Sequence, residues 1–262
     1  MTDQTPLDAA HAAMEAVPED DNARLTFYAR LADSELCVML RAEAQGDTLD
    51  PETVEAEGAT FVLAFDREDR LSAFAGKPAP YAALPGRALA QMLAGQGAGL
   101  ALNLDAPSQT LLPPEALGWL AETLGHAPAE AEARPVEVTA PGNLPEALLR
   151  ALDARLAKAA GLARRAYLAG VEYEDGARGH LLGLTGTVDG AEGPLARAVN
   201  EALVFSGLEA GALDVAFLGD DDPLAARLAR VAMRFDLPEP PETERAAPKA
   251  PGSDPDAPPR LR

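Results

Sequence analysis

The sequence predicts an α+β protein with two domains, each of which mixes helices and strands. Apolar residues alternate along the chain between the spacing of an amphipathic helix and the short runs of a strand. Residues 128–134 lack an apolar pattern and predict a linker. Residues 238–262 are rich in proline and charge, which predicts a disordered tail. We therefore assign residues 1–127 to the first domain and residues 135–237 to the second.

The first domain is predicted to contain five helices and five strands, marked by capping residues, prolines and apolar spacing. The acidic stretch between its first two strands contains Gly46, Pro51 and Gly58 and predicts a loop. Asp66 is predicted to cap the third helix. The predicted helices cover residues 6–17, 21–32, 67–75, 86–95 and 114–124, and the predicted strands cover residues 35–41, 60–65, 81–84, 99–104 and 109–112.

The second domain is predicted to have the order β-α-β-β-α-β followed by a C-terminal helix. Glu174-Asp175-Gly176 separates two strands and predicts a β-hairpin. This order contains the split βαβ pattern of a ferredoxin-like fold. The predicted strands cover residues 135–139, 163–173, 179–188 and 213–218, and the predicted helices cover residues 144–160, 194–205 and 223–233.

The charge of the chain excludes several classes of function. The formal net charge is −20, which disfavours binding to nucleic acid and to anionic membranes. Residues 1–127 hold 20 acidic and 7 basic side chains, so a basic protein partner would be sought on the first domain. The alternative interpretation is that the acidity serves solubility.

The chain carries few signals of catalysis, secretion or cofactors. Its one cysteine, Cys37, lies in an apolar strand and is expected to behave as a small hydrophobe. The polar, acidic N-terminus is unlike a signal peptide, which favours the cytoplasm. No nucleotide, metalloprotease or hydrolase motif occurs, so we predict a protein that is not an enzyme and has no cofactor.

Two glycine-containing segments have compositions that occur in binding sites for phosphate or carboxylate groups. Gly95–Gly99 follows a helix and precedes a strand, the reverse of a dinucleotide-binding fingerprint, so Gly95 is predicted to end the helix. Pro85-Gly86-Arg87 lies between a strand and a helix, where free N–H groups and a cation favour an anion. Gly86 and Arg87 are therefore candidate binding residues, the alternative being a tight turn. Asn103, where the next strand ends, joins them if it shares their pocket.

Three adjacent carboxylates form a weak candidate for a metal site. Asp220, Asp221 and Asp222 follow a predicted strand, a position and chemistry that suit Mg²⁺ or Ca²⁺. The spacing of a calcium loop is missing. Asp222-Pro223 instead fits the N-cap and first residue of a helix, so we favour a capping role.

The chain resembles the SseB family, the bacterial enhanced serine sensitivity proteins, over both predicted domains. In the second domain the resemblance is to the family's C-terminal domain and rests on Ala140-Pro141, Ala166-Tyr167-Leu168 and His180-Leu181-Leu182-Gly183. In the first domain it rests on Phe27-Tyr28, Ser34-Glu35-Leu36, residues 61–65, Leu84-Pro85-Gly86-Arg87, residues 99–103, and residues 111–114 through Trp119-Leu120. The resemblance implies no catalytic residues and no settled activity.

Two functions follow as expectations. The first is a non-catalytic module that binds an unknown protein partner, with a basic surface as the expected complement, because the first domain is acidic and reactive motifs are missing. The alternative is a small-molecule sensor, with amino acids as candidates, which the family phenotype and fold analogy suggest.

Overall fold

A computed structural model describes residues 4–43, 48–56, 58–125, 135–142, 144–208, 213–219 and 221–238. The predicted linker and residues 239–262 of the predicted tail lie outside the described residues. The α+β class with two mixed domains is confirmed, since each domain has its own sheet.

The first domain carries a six-stranded mixed sheet between two unequal layers of helix. Strand order is β4-β1-β3-β5-β6, and β2 pairs with β3 beside β1. Its helices are α1 (Pro6–Ala16), α2 (Asp21–Asp33), α3 (Glu68–Ala75), α4 (Gly86–Gln96) and α5 (Pro114–Gly125), and its strands are β1 (Glu35–Met39), β2 (Thr53–Ala56), β3 (Ala59–Phe65), β4 (Tyr81–Pro85), β5 (Gly99–Leu102) and β6 (Thr110–Leu112).

Side-chain alternation along these strands supplies both faces of the sheet with apolar residues. One face joins α1, α2, α4 and α5 in the larger core, which includes Phe27, Leu36, Val62 and Leu100. The other face builds a smaller core with α3 around Phe61, Leu63, Phe65 and Leu71. Strands β3 and β5 are parallel, so their carboxyl ends lie side by side, and Asp66 and Asn103 follow them there.

The second domain has a five-stranded sheet with helices on both faces. Helices α6 and α7 share one core with Leu168, Leu182 and Leu184, and α8 covers the opposite face through Leu228. Its elements are β7 (Pro135–Thr139), α6 (Glu146–Lys158), β8 (Arg165–Tyr173), β9 (Arg178–Thr185), α7 (Glu192–Val204), β10 (Asp214–Leu218), α8 (Pro223–Val231) and β11 (Met233–Asp236).

The predicted order of elements is found, but the ferredoxin-like arrangement is not confirmed. In a ferredoxin-like sheet the first strand lies between the third and the fourth. Here β10 pairs directly with β9 in parallel, and β7 pairs with β8. The added strand β11 pairs with the remaining length of β8, so β7 and β11 share one edge of that strand.

Four local predictions are wrong. The N-cap residue of α3 is Arg67, not Asp66, and it makes no capping hydrogen bond through its side chain. Strand β2 occupies part of the predicted loop, because four residues are too few for the alternation of a strand to stand out in the sequence. Strand β11 begins two residues after Val231, where the last helix was expected to continue. Helix α4 runs one residue past Gly95 to Gln96, and Gly97, not Gly95, is the C-cap residue in the left-handed conformation, with φ of 65°.

The two domains are joined by an apolar contact at the end of α7. Phe205 is the C-cap residue of α7, yet its buried ring belongs to the larger core of the first domain. Its centroid lies 6.3 Å from that of Trp119 on α5, in an edge-to-face arrangement. This contact places α7 and its neighbour α6 beside α2 and α4.

Within the described residues, no helix combines the length and the apolar character that crossing a membrane requires.

Candidate functional site

A cleft of about 540 Å³ lies between the two domains. Helices α2 and α4 of the first domain face α6 and α7 of the second across it, and Leu124, Leu162 and Leu195 supply apolar lining. Its charged lining residues are Asp33, Arg87, Arg155, Lys158, Arg197 and Glu201, which we call the cleft cluster.

Asp33, the last residue of α2, accepts hydrogen bonds from three cations. Arg155 Nη1 donates to Oδ1 at 2.6 Å, and Lys158 Nζ donates to Oδ2 at 2.8 Å. Arg87 Nη2 also reaches Oδ1, at 3.1 Å. Arg155 and Lys158 are three residues apart on α6, so their side chains leave the same face of the helix. One carboxylate of the first domain thus binds a helix of the second.

Glu201 on α7 makes the reciprocal connection. Arg87 Nη1 donates to its Oε1 at 3.1 Å, which ties α4 of the first domain to α7. Arg155 Nη2 lies 3.3 Å from its Oε2. Arg87 and Arg155 therefore each contact both carboxylates, and the four side chains form a closed ring across the domain boundary.

Burial differs sharply among the members of the cleft cluster. The side chains of Arg155, Asp33 and Glu201 are at most 14% exposed, whereas those of Arg87 and Lys158 are 41% and 56% exposed. Burial pushes the pKa of Asp33 upward, but the hydrogen bond from Lys158 and the charge of Arg155 outweigh it and lower that pKa. The acids are buried, and two of the cations keep one side open to solvent.

The cleft cluster carries more positive than negative charge. Four cations face two carboxylates, which leaves a formal surplus of two positive charges in a chain of net charge −20. Arg197 is exposed and makes no ion pair with any residue in the described part of the chain. A cavity with unneutralised guanidinium and ammonium groups suits a carboxylate or phosphate group.

Gly86 positions Arg87. A Cβ atom at Gly86 would lie 1.9 Å from the carbonyl oxygen of Leu31, so the start of α4 approaches the end of α2 more closely than any other residue permits. The Gly86 N–H donates to the carbonyl of Ser34 at 2.8 Å and is not free for a ligand. The predicted turn at Pro85-Gly86-Arg87 is therefore present, and it brings Arg87 to Asp33.

Asn103 lies elsewhere, in a second cluster inside the first domain. Its Oδ1 accepts from the backbone N–H of Asp66 at 3.0 Å, and its Nδ2 donates to Ser108 Oγ at 3.0 Å. The residue is fully buried, with φ of 51°. Asn103 does not line the cleft, so the structure separates it from Gly86 and Arg87.

The second cluster centres on Arg70. Its Nη1 donates to Asp66 Oδ1 at 2.8 Å, and its Nη2 donates to Asp8 Oδ2 at 2.6 Å. Ser108 Oγ donates to Asp8, and Thr5 Oγ1 donates to Asp66 Oδ2 at 2.6 Å. The hydrogen bond from Arg70 lowers the pKa of Asp8, with smaller contributions from Ser108 and Thr5. Asp8, Asp66, Arg70, Asn103 and Ser108 form the buried cluster.

The triple aspartate behaves as a helix cap where the structure describes it. Asp222 Oδ1 accepts from the N–H of Leu224 at 2.7 Å, and Pro223 is the first residue of α8. Asp220 lies outside the described residues. Among the residues that the structure describes, no three His, Cys, Asp or Glu side chains come together as a potential metal site.

Cys37 sits in β1, packed against the smaller core. Burial raises the pKa of its thiol, and the nearby carboxylates of Glu68, Glu35 and Asp66 raise it further. A thiol in this environment is held in its protonated form, in line with the small-hydrophobe role expected from sequence.

The sequence did not reveal five of the six members of the cleft cluster. Asp33 and Glu201 are 168 positions apart in the sequence, and their shared contact with Arg155 depends on how the domains dock. One signal was available. Lys158 is one of three lysines in an arginine-rich chain, and it shares a helix face with Arg155.

The match to a known protein family lies in the first domain. Residues 7–119, from α1 into α5, match the sequence model of the SseB protein N-terminal domain. No curated protein and no solved structure matches the chain. The resemblance of the second domain to the family's C-terminal domain stays a prediction. The first domain of this chain is therefore an SseB-type N-terminal domain.

Proposed function

We propose that this protein is a non-catalytic, cytoplasmic binding protein whose interdomain cleft takes a small anionic metabolite. The observation that carries the proposal is the surplus of two positive charges facing a cavity of about 540 Å³. Sites for small molecules occur preferentially at domain interfaces and have volumes of roughly 300–1,000 Å³.

Electrostatics supports an anion in the cleft. The chain as a whole is strongly acidic, so a local surplus of positive charge is unusual in it and marks the cleft as a place that attracts anions. The walls of the cleft are partly apolar, which strengthens any charge–charge interaction within it. An anion between Arg197, Lys158 and Arg87 would neutralise the surplus.

Amino acids, as small carboxylates, are the first class of ligand to test, because the solvent-facing charges of the cleft are cations. A ligand carboxylate would meet Arg197 and Lys158, whereas Asp33 and Glu201 are buried and already paired with Arg87 and Arg155. The positive surplus predicts a further preference. An acidic amino acid such as glutamate, of net charge −1, should bind more tightly than serine, whose net charge is zero.

The test is calorimetric titration of the full chain with inorganic phosphate, succinate, L-glutamate and L-serine. Arg197→Ala removes a cleft cation that makes no ion pair in the described part of the chain, so binding should weaken about tenfold while the fold persists. The matched control is Arg150→Ala, whose exposed guanidinium pairs with Glu146 on α6 away from the cleft lining.

The titration tests both the class of ligand and the location of the site. Equal binding of succinate and glutamate would show that the amino group is not recognised, and the ligand class would then be carboxylates in general. The proposal is wrong if none of the four compounds binds, or if Arg197→Ala and Arg150→Ala bind them as the native chain does.

A second candidate function is a module that binds a basic protein through the first domain. Two observations support it: residues 1–127 carry a formal charge of −13, and Met92 and Trp119 are exposed on the adjoining helices α4 and α5. Exposed tryptophan and methionine beside acidic groups suit a partner with a basic rim.

An affinity purification from the native cytoplasm at low and moderate salt tests this second function. We expect a basic protein to be recovered at low salt and to be reduced with a Met92→Ala bait, because this substitution removes exposed apolar contact area without changing the charge. Recovery of no partner above background at both salt concentrations would count against it.

A further inference from the structure

The chain leaves the second domain beside the cleft. Strand β11 pairs antiparallel with the start of β8, so it ends near the turn that follows α6. The carbonyl of Pro238, the last described residue, accepts a hydrogen bond from the N–H of Gly161 at 3.1 Å. Ala159 and Leu162, which flank Gly161, both line the cleft. Pro238 therefore lies at the border of the cleft.

The residues that directly follow Pro238 in the sequence are acidic. Residues 239–244 read EPPETE and contain three glutamates and no basic residue, whereas all four basic residues of the tail follow position 244. The six-residue segment thus carries a formal charge of −3 next to a cleft with a surplus of two positive charges.

The length of the segment matches the distance it would have to cover. At roughly 3.1 Å per residue, the rise of an extended proline-rich chain, a segment of six residues can reach up to about 19 Å. Lys158 and Arg155 precede Gly161 by three and six positions on α6, about two helical turns or 9 Å. The glutamates are within reach of both.

We propose that Glu239, Glu242 and Glu244 dock into the interdomain cleft and compete with its anionic ligand. The tail supplies carboxylates at a high effective concentration, in the millimolar range for a short tether. A weak contact is therefore enough to occupy the cleft when ligand is scarce, and ligand above that threshold displaces it. The competition rests on the proposed function of the cleft. The docking itself rests only on the opposite charges of the cleft and the segment.

The first test compares the affinity of full-length variants for L-glutamate by calorimetry. Glu239→Gln/Glu242→Gln/Glu244→Gln removes the charge of the segment and should tighten binding about threefold to tenfold, the range expected for release of a millimolar intramolecular competitor. The matched control, Asp254→Asn/Asp256→Asn, removes two charges from the distal tail and should bind as the native chain does. Equal affinity in all three proteins would overturn the competition.

A second test detects docking without any ligand. A water-soluble carbodiimide joins amines to carboxylates that touch, and the chain has only three lysines, Lys77, Lys158 and Lys249. Lys158 Nζ lies 2.8 Å from Asp33, so a Lys158–Asp33 link is the internal positive control. Docking predicts additional links from Lys158 to Glu239, Glu242 or Glu244 in the monomer, lost in high salt.

The two tests separate the two proposals. If Lys158 is linked to the segment but no variant binds glutamate, the docking proposal stands and the ligand proposal is wrong. If glutamate binds equally to the native chain and the triple variant, and Lys158 is linked to Asp33 but not to the segment, the ligand proposal stands and the docking proposal is wrong.

Discussion

The buried cluster around Arg70 and the cleft cluster around Arg155 use the same side chains in different proportions. In the buried cluster one guanidinium serves two aspartates, and Asn103, Ser108 and Thr5 fill the remaining hydrogen-bonding positions. In the cleft cluster four cations share two carboxylates. In the buried cluster the one cation is paired with both carboxylates. In the cleft cluster the cations outnumber the carboxylates, and some of them face a cavity.

This difference teaches where to look for binding in a chain without sequence motifs. Both clusters would be flagged by a simple search for buried charge. Only the count of charges and the presence of space distinguish a cluster that holds the fold together from one that is suited to a ligand. The predictions below test that distinction, from the largest expected effect to the smallest.

Replacing Arg70 with methionine should have the largest effect on stability. The change leaves Asp8 and Asp66 buried without their cation, which costs about 3–5 kcal/mol in the free energy of unfolding. Urea denaturation measures it. Arg24→Ala, which removes an exposed pair with Asp21, is the control and should cost less than about 1 kcal/mol. A loss below 1 kcal/mol for Arg70→Met would contradict a structural role for the buried cluster.

Phe205→Ala should destabilise the protein by about 3 kcal/mol, because it empties a ring-sized space in the larger core. It should also weaken ligand binding, since Phe205 fixes the domain docking that forms the cleft. Phe205→Leu keeps most of the apolar volume and should recover both properties in large part. Unfolding curves and calorimetry on the same samples check this. Full affinity in Phe205→Ala would mean that the cleft does not depend on this contact.

Acid should destabilise the buried cluster by protonating Asp8. Its hydrogen bond from Arg70 makes the pKa of Asp8 lower in the folded than in the unfolded state, so its stabilisation is fully present above the unfolded pKa, about 3.9. That stabilisation is lost as pH falls through the lower folded pKa. Asp8→Asn should be less stable at pH 7, and its difference from the native chain should narrow steadily as pH falls from about 4 to 2. Parallel stability curves from pH 7 to pH 2 would contradict this.

Arg197→Ala should have the smallest effect on stability, below about 0.5 kcal/mol, because its exposed side chain makes no ion pair in the described part of the chain. In phosphate buffer the difference from the native chain should grow, since only the native chain gains from anion binding. Thermal unfolding in phosphate and in an uncharged buffer at equal ionic strength measures this. An identical difference in both buffers would count against an anion site.

The sequence allowed the fold class and most element positions to be predicted, because these depend on local spacing and capping. Asp222 as a helix cap is an example. Strands β2 and β11 were missed because their partners, not their own residues, make them strands. The ferredoxin-like arrangement is not confirmed, for the related reason that strand pairing is set by packing between distant segments.

The candidate site was predicted only at Gly86 and Arg87, where a strand-to-helix turn gives a local signal. Asn103 was singled out by its position after a strand, and that position leads into the buried cluster instead. The remaining members of the cleft cluster depend on the docking of two domains, which Phe205 and the ring of ion pairs bring about. No local pattern encodes such a docking.

Hydrogen exchange measured by mass spectrometry, with and without L-glutamate, tests the central claim most directly. If the open cleft cluster is the binding site, added glutamate should slow exchange in α6, α7 and the first turn of α4. Residues 66–70 and 103–108 of the buried cluster should exchange as before. Protection confined to the buried cluster, or no change in either region at millimolar glutamate, would contradict the account.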